Sequence, residues 1–131
     1  MTKLLIVDDE PDLLHGLRGA LEATGYTVLM AADGVTAVEM ARRELPALIL
    51  LDLMLPKLDG YRVLKLLKAD ERYREIPVLV ITARADAQDL TLALECGATG
   101  CLVKPLKVEA VLNQIRAITG NGHGPSEGCA S

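Results

Sequence analysis

The sequence predicts a three-layer α/β domain, a mostly parallel sheet with helices on both faces. Three observations carry this. Short apolar runs rich in Leu, Val and Ile alternate with longer stretches of helical period, five times in 131 residues. The third run, Ala47 to Leu51, is continuously apolar, as a strand covered on both faces requires. Each helical stretch shows a single apolar stripe.

The elements follow in order. Lys3 to Val7 reads as the first strand, and Leu13, Leu14, Leu17 and Leu21 stripe the helix after it. Gly25 then stands where a left-handed residue ends a helix. Tyr26 to Ala31 is the second strand, and Asp33 is placed to cap the next helix. Ala47 to Leu51, Val78 to Ile81 and Gly100 to Val103 complete the strands, with Gly97 as a second helix-ending glycine. Val108, Val111, Leu112, Ile115 and Ile118 form the last stripe. From Gly120 onward the composition changes to four glycines with no aliphatic residue larger than Ala. We therefore divide the chain into a folded domain, 1–119, and a flexible tail or linker stub, 120–131.

Composition narrows the function classes. Apolar residues make up 50% and charged residues 24%, enough for a core and too little charge for a disordered chain. Aromatic content is 2%, all tyrosine, so the core is aliphatic and base-stacking platforms are not expected. A formal charge of −4 has the wrong sign for gripping phosphate backbones, so no direct nucleic-acid binding is expected. Cys96, Cys101 and Cys129 are odd in number and match no C-x-x-C pattern, which suggests neither a disulfide framework nor a zinc site. With no apolar run long enough for a signal peptide or membrane span, a cytoplasmic protein is expected.

In an open parallel sheet the ligand site lies beyond the carboxyl ends of the strands. The first run ends in Asp8-Asp9-Glu10, the third in Asp52, the fourth in Thr82 and the fifth in Lys104-Pro105. Carboxylates gathered at one sheet edge repel one another unless a cation sits among them, and oxygen-only ligands favour Mg²⁺. A carboxylate beside Mg²⁺ and an ammonium can act as nucleophile toward a phosphoryl group. On this reading Asp52 attacks phosphorus, Asp8 and Asp9 hold the metal, Lys104 pairs with a phosphoryl oxygen and the Thr82 hydroxyl hydrogen-bonds another. Taken singly, each residue has a plainer explanation: Asp8, Asp9 and Glu10 as a solvated helix entry with Pro11 early in the helix, Thr82 as a β-branched strand end, Lys104 as a loop residue. An acid straight after five apolar residues is harder to explain that way.

Val7-Asp8-Asp9-Glu10-Pro11, Leu51-Asp52-Leu53-Met54-Leu55-Pro56 with Asp59-Gly60, Ile81-Thr82-Ala83 and Val103-Lys104-Pro105 together resemble the signature segments of the response-regulator receiver domain of two-component signalling, over about residues 1–119. The resemblance implies a flavodoxin-like fold of strand order 2-1-3-4-5. It implies that Asp52 accepts a phosphoryl group from a sensor histidine kinase or phosphotransfer protein, that the Met54 carbonyl completes the Mg²⁺ shell, and that the Lys104-Pro105 peptide is cis. The output would go to a downstream effector protein or domain, through a regulator rather than an enzyme.

The sequence also departs from that pattern. Cys101 stands where receivers usually carry Tyr or Phe, and Leu106 where Phe is usual. The charge pairs of one receiver dimer are missing at Thr99-Gly100 and Asn113, so a monomer or a weak dimer of another kind is expected. Arg84 and Met54 would flank the phosphoryl group and slow its hydrolysis. The rival readings are a phosphate-independent interaction module of the same fold, and an aspartyl-phosphate phosphohydrolase. The latter wants a second Asp where Met54 stands.

Overall fold

The computed structural model describes residues 2–53, 60–83, 87–104, 106–120 and 128–130. Strands β1 (Lys3–Val7), β2 (Thr27–Ala31), β3 (Leu48–Asp52), β4 (Val78–Thr82) and β5 (Gly100–Val103) alternate with helices α1 (Pro11–Ala23), α2 (Gly34–Glu44), α3 (Gly60–Ala69), α4 (Ala87–Glu95) and α5 (Val108–Ile115). The strands pair in parallel in the order β2-β1-β3-β4-β5. That is the order the resemblance implied. Every residue of β3 and β4 is buried, because helices cover the central strands on both sides.

The core divides into layers accordingly. Leu14, Leu17 and Leu21 of α1 join Val111 and Ile115 of α5 against Leu4, Ile6, Leu50 and Ile81. On the opposite face Val38 and Ala41 of α2 and Val63, Leu64 and Leu67 of α3 pack on Leu5, Val7, Ile49 and Leu51. Alternate strand residues thus feed opposite layers, as the pleat dictates. A third, smaller cluster of Leu53, Val80, Ala93 and Cys101 carries the part-buried Tyr61 from α3.

The boundary residues act as their chemistry suggests. Asp33 Oδ1 accepts the Thr36 N–H at 2.8 Å and caps α2. Gly25 and Gly97 adopt φ of 104° and 110°, the left-handed geometry that glycine enters without strain. Leu45 does the same at φ 47° to end α2, a strained choice for a leucine that composition gave no reason to expect. Arg116–Gly120 extends α5 as one π-helical turn.

Two findings differ from the sequence reading. Within the stretch read as a tail, Gly128–Ala130 forms a sixth strand, β6, parallel to β5. Cys101, in a set of cysteines whose number and spacing suggested no disulfide framework, is disulfide-bonded, and Cys96 is the free cysteine among the described residues. In the same ladder the backbone of Cys129 stands in register with that of Cys101, a neighbour relation that spacing in the sequence conceals.

Candidate functional site

The carboxyl ends of β1, β3, β4 and β5 lie side by side, which brings Asp8, Asp52, Thr82 and Lys104 to one edge of the sheet. The ladder fixes their heights: Val7 pairs with Leu51, Asp52 with Ile81 and Thr82 with Val103. The backbone continues this network past the strands, since Asp8 donates to the Ala31 carbonyl at 3.1 Å and Lys104 to the Thr82 carbonyl at 2.7 Å. Asp8, Asp52 and Thr82 are the buried polar side chains among the described residues. Their position above an apolar sheet leaves them shielded from water yet clear of the core.

Lys104 reaches into this acidic group. Its Nζ donates to Asp52 Oδ2 at 3.1 Å and to Glu10 Oε1 at 2.5 Å. It also forms an ion pair with Asp8 Oδ2 at 3.1 Å, out of line for a hydrogen bond. Asp8 Oδ1 accepts the Glu10 N–H at 2.9 Å, so Oδ2 is left as the buried side-chain oxygen without a hydrogen-bond donor among the described residues. Burial pushes the Asp8 carboxyl above its ordinary 3.8, and the Asp52 charge adds to this against the opposing pull of the Glu10 N–H and Lys104. Burial works against the Lys104 charge as well, but the Glu10, Asp52 and Asp8 carboxylates outweigh it and hold the ammonium well above its ordinary 10.5.

One oxygen from each of Asp8, Glu10 and Asp52 falls within 4.8 Å of the others. A fully buried carboxylate oxygen that accepts no hydrogen bond, in an oxygen-only set, fits a hard divalent cation such as Mg²⁺. Asp9 is exposed and stands outside that set. Glu10, which the sequence reading left without a role, stands inside it. The signal was the run of three acids, and spacing alone gives no means of choosing among them. Met54, Asp59, Arg84 and Pro105 lie outside the described residues.

A glycine shapes the floor of the site. A Cβ on Gly60 would fall 2.4 Å from the Asp52 carbonyl oxygen and 2.6 Å from the Leu53 Cα, while the Gly60 N–H donates to the Leu53 carbonyl at 3.1 Å. The start of α3 therefore rests directly on the backbone that carries Asp52, and only glycine permits that approach.

The family model described as the response regulator receiver domain matches residues 4–116. The chain belongs to that family, the receiver domain of two-component response regulators, a regulatory domain. It is 42% identical over 118 residues to the DNA-binding dual master transcriptional regulator RpaA of Synechocystis, which aligns 90% of this chain and 49% of that protein. It is 41% identical over 116 residues to the alkaline phosphatase synthesis transcriptional regulatory protein PhoP of Bacillus subtilis, aligning 88% and 48%. The chain thus spans about half the length of these curated relatives.

Among solved structures, a response regulator from Chloroflexus aurantiacus superposes with a TM-score of 0.87 at 30% identity, covering 92% of this chain and 98% of that one. The receiver domain of sensor histidine kinase PA1611 from Pseudomonas aeruginosa gives 0.85 at 32% identity with the same coverage, and has a magnesium ion coordinated in its active site cleft. No described helix of the present chain is long and apolar enough to cross a membrane.

Proposed function

We propose that this receiver is a phosphorylation-dependent switch whose phosphoacceptor is Asp52. The observation that carries the reading is the meeting of two buried carboxylates, Asp8 and Asp52, on one ammonium, with Asp8 Oδ2 ion-paired but given no hydrogen bond among the described residues. The donor is a phosphohistidine of a sensor histidine kinase or phosphotransfer protein. An Asp52 oxygen forms the new O–P bond as the P–N bond to the histidine breaks, and the histidine nitrogen leaves with the electron pair.

Lys104 is placed to follow the charge from the Asp52 carboxylate to a phosphoryl oxygen, and Thr82, buried at the end of β4, supplies a hydroxyl to another. Asp8 and Asp52, with Asp9 and the Met54 carbonyl by resemblance, would hold Mg²⁺, which when bound neutralises charge on the transferred oxygens. The acyl phosphate forms and hydrolyses within the domain itself, so the activity is self-catalysed and regulatory. Phosphoryl charge drawing Lys104 and Thr82 inward shifts the domain between two packings that a downstream effector protein or domain reads.

Incubation with acetyl phosphate, with and without Mg²⁺, followed by intact mass, tests this directly. One phosphoryl adduct that requires Mg²⁺ and is lost in Asp52→Asn is the expected result. A folded protein that binds Mg²⁺ and gains no adduct would overturn the proposal in favour of a phosphate-independent interaction module.

A further inference from the structure

Without β6, β5 would be the outermost strand and would present a row of unpaired backbone groups along its far side. Gly128–Ala130 closes that edge in parallel, with Gly100 in register with Gly128, Cys101 with Cys129 and Leu102 with Ala130. The receiver family model ends at residue 116, so β6 is an addition to a domain already complete in five strands. A three-residue strand that opens on glycine pairs weakly by its backbone alone. Cysteine chemistry supplies a stronger hold. Cys101 is disulfide-bonded, Cys96 is free, and Cys129 is the third cysteine of the sequence. Paired strands lie about 4.8 Å apart, inside the range of about 4.4–6.8 Å between Cα atoms that a disulfide bridges.

We infer that Cys101 and Cys129 form a thiol–disulfide latch that holds β6 on the edge of β5, closing the edge when oxidised and opening it when reduced. The inference is independent of the phosphoacceptor reading. Its two ends are unequal. Cys101 is fully buried with Leu53, Val80 and Ala93, a fixed anchor in the core, whereas Cys129 belongs to a short strand at the margin of the sheet. Such a strand opens locally at far lower cost than the domain unfolds, so a small dithiol reaches the bond while the five-stranded sheet stays intact. One thiolate of the dithiol attacks a sulfur of the bond, and the other cysteine leaves as a thiolate that takes up a proton. The dithiol then closes its own disulfide and releases the second cysteine, so the protein gains two electrons and two protons and the dithiol is oxidised. Oxidised glutathione reverses the step and departs as two thiols.

The test compares the full chain equilibrated with oxidised glutathione and with dithiothreitol, as wild type, Cys129→Ser and Cys96→Ser. Digestion of the oxidised wild type under acidic conditions should yield a peptide that joins Cys101 to Cys129. Hydrogen–deuterium exchange at Gly100–Val103 should quicken about tenfold on reduction, while that of Leu48–Asp52 stays unchanged. Cys129→Ser should exchange fast at Gly100–Val103 under both conditions, and Cys96→Ser should follow the wild type. A bond between any other pair, or no bond in folded protein exposed to oxidised glutathione, would overturn the inference. So would β5 exchange that ignores reduction. Exchange that quickens equally in β3 and β5 would overturn it too, since the bond would then staple the whole domain and not latch one edge.

Discussion

Two lysines of this domain are partly withdrawn from water, and they have met opposite fates. Lys104, at the carboxyl edge of the sheet, is ringed by Asp8, Glu10 and Asp52. Lys68, at the end of α3, donates instead to the carbonyls of Arg74 at 2.9 Å and Ile76 at 2.7 Å, and its stem passes close to Gly97, where a Cβ would fall 2.7 Å from Lys68 Cγ. Carbonyl dipoles satisfy the Lys68 donors without neutralising its charge, and burial drives its pKa below the ordinary 10.5, with Glu75 opposing. The same residue type is a clamp on a loop in one place and a counter-ion in the other. Partner chemistry decides between these roles, since both lysines are only partly buried.

The largest expected difference comes from removing each charge. Lys104→Met leaves Asp8 and Asp52 buried side by side without their cation, and should lower stability by about 2 kcal/mol in urea melts. Mg²⁺ should restore more of that loss than it adds to the wild type, because it replaces the missing charge. Equal Mg²⁺ effects in both proteins would break the contrast.

Lys68→Met keeps the stem and loses two hydrogen bonds to carbonyls, so a smaller cost of about 1 kcal/mol is expected, with phosphoryl acceptance from acetyl phosphate unchanged. A loss of acceptance would show that the α3–β4 connection speaks to the site.

The smallest effect is in alkali, where the two lysines should pull in opposite directions. Folded Lys104 holds its proton more tightly than the unfolded chain does, so its contribution is full below pH 10.5 and is lost as pH rises through its raised folded value. Folded Lys68 releases its proton first, so stability rises with pH from its lowered value toward 10.5. Urea midpoints from about pH 9 to 11, compared between the wild type and each Lys→Met variant, should give slope differences of opposite sign.

The contrast also marks what the sequence could convey. β3 as a fully covered strand, Asp33 as a cap and Asp52 at a strand terminus were all readable, because period, caps and apolar run length are local properties of the chain, whereas the strand order came only from the family resemblance. The meeting of Glu10 with Lys104 joins residues 94 positions apart and depends on a side chain reaching across two loops. Lys68 carries no local signal of its role, since the carbonyls it binds belong to a turn that folds back on it. Leu45 in left-handed geometry and the β5–β6 pairing were hidden for a related reason: tertiary context imposed them on residues with no propensity to announce it.

The complete burial of β3 and β4 bears on how the site works in time. Amides at the centre of a sheet covered on both faces exchange with solvent only when the whole domain opens, whereas connecting loops exchange through small local fluctuations. Asp52 is mounted on the former, and Glu10 stands in the short connection between β1 and α1. The proposed phosphoacceptor therefore keeps a fixed address, and any structural response to its modification falls to the segments that surround it.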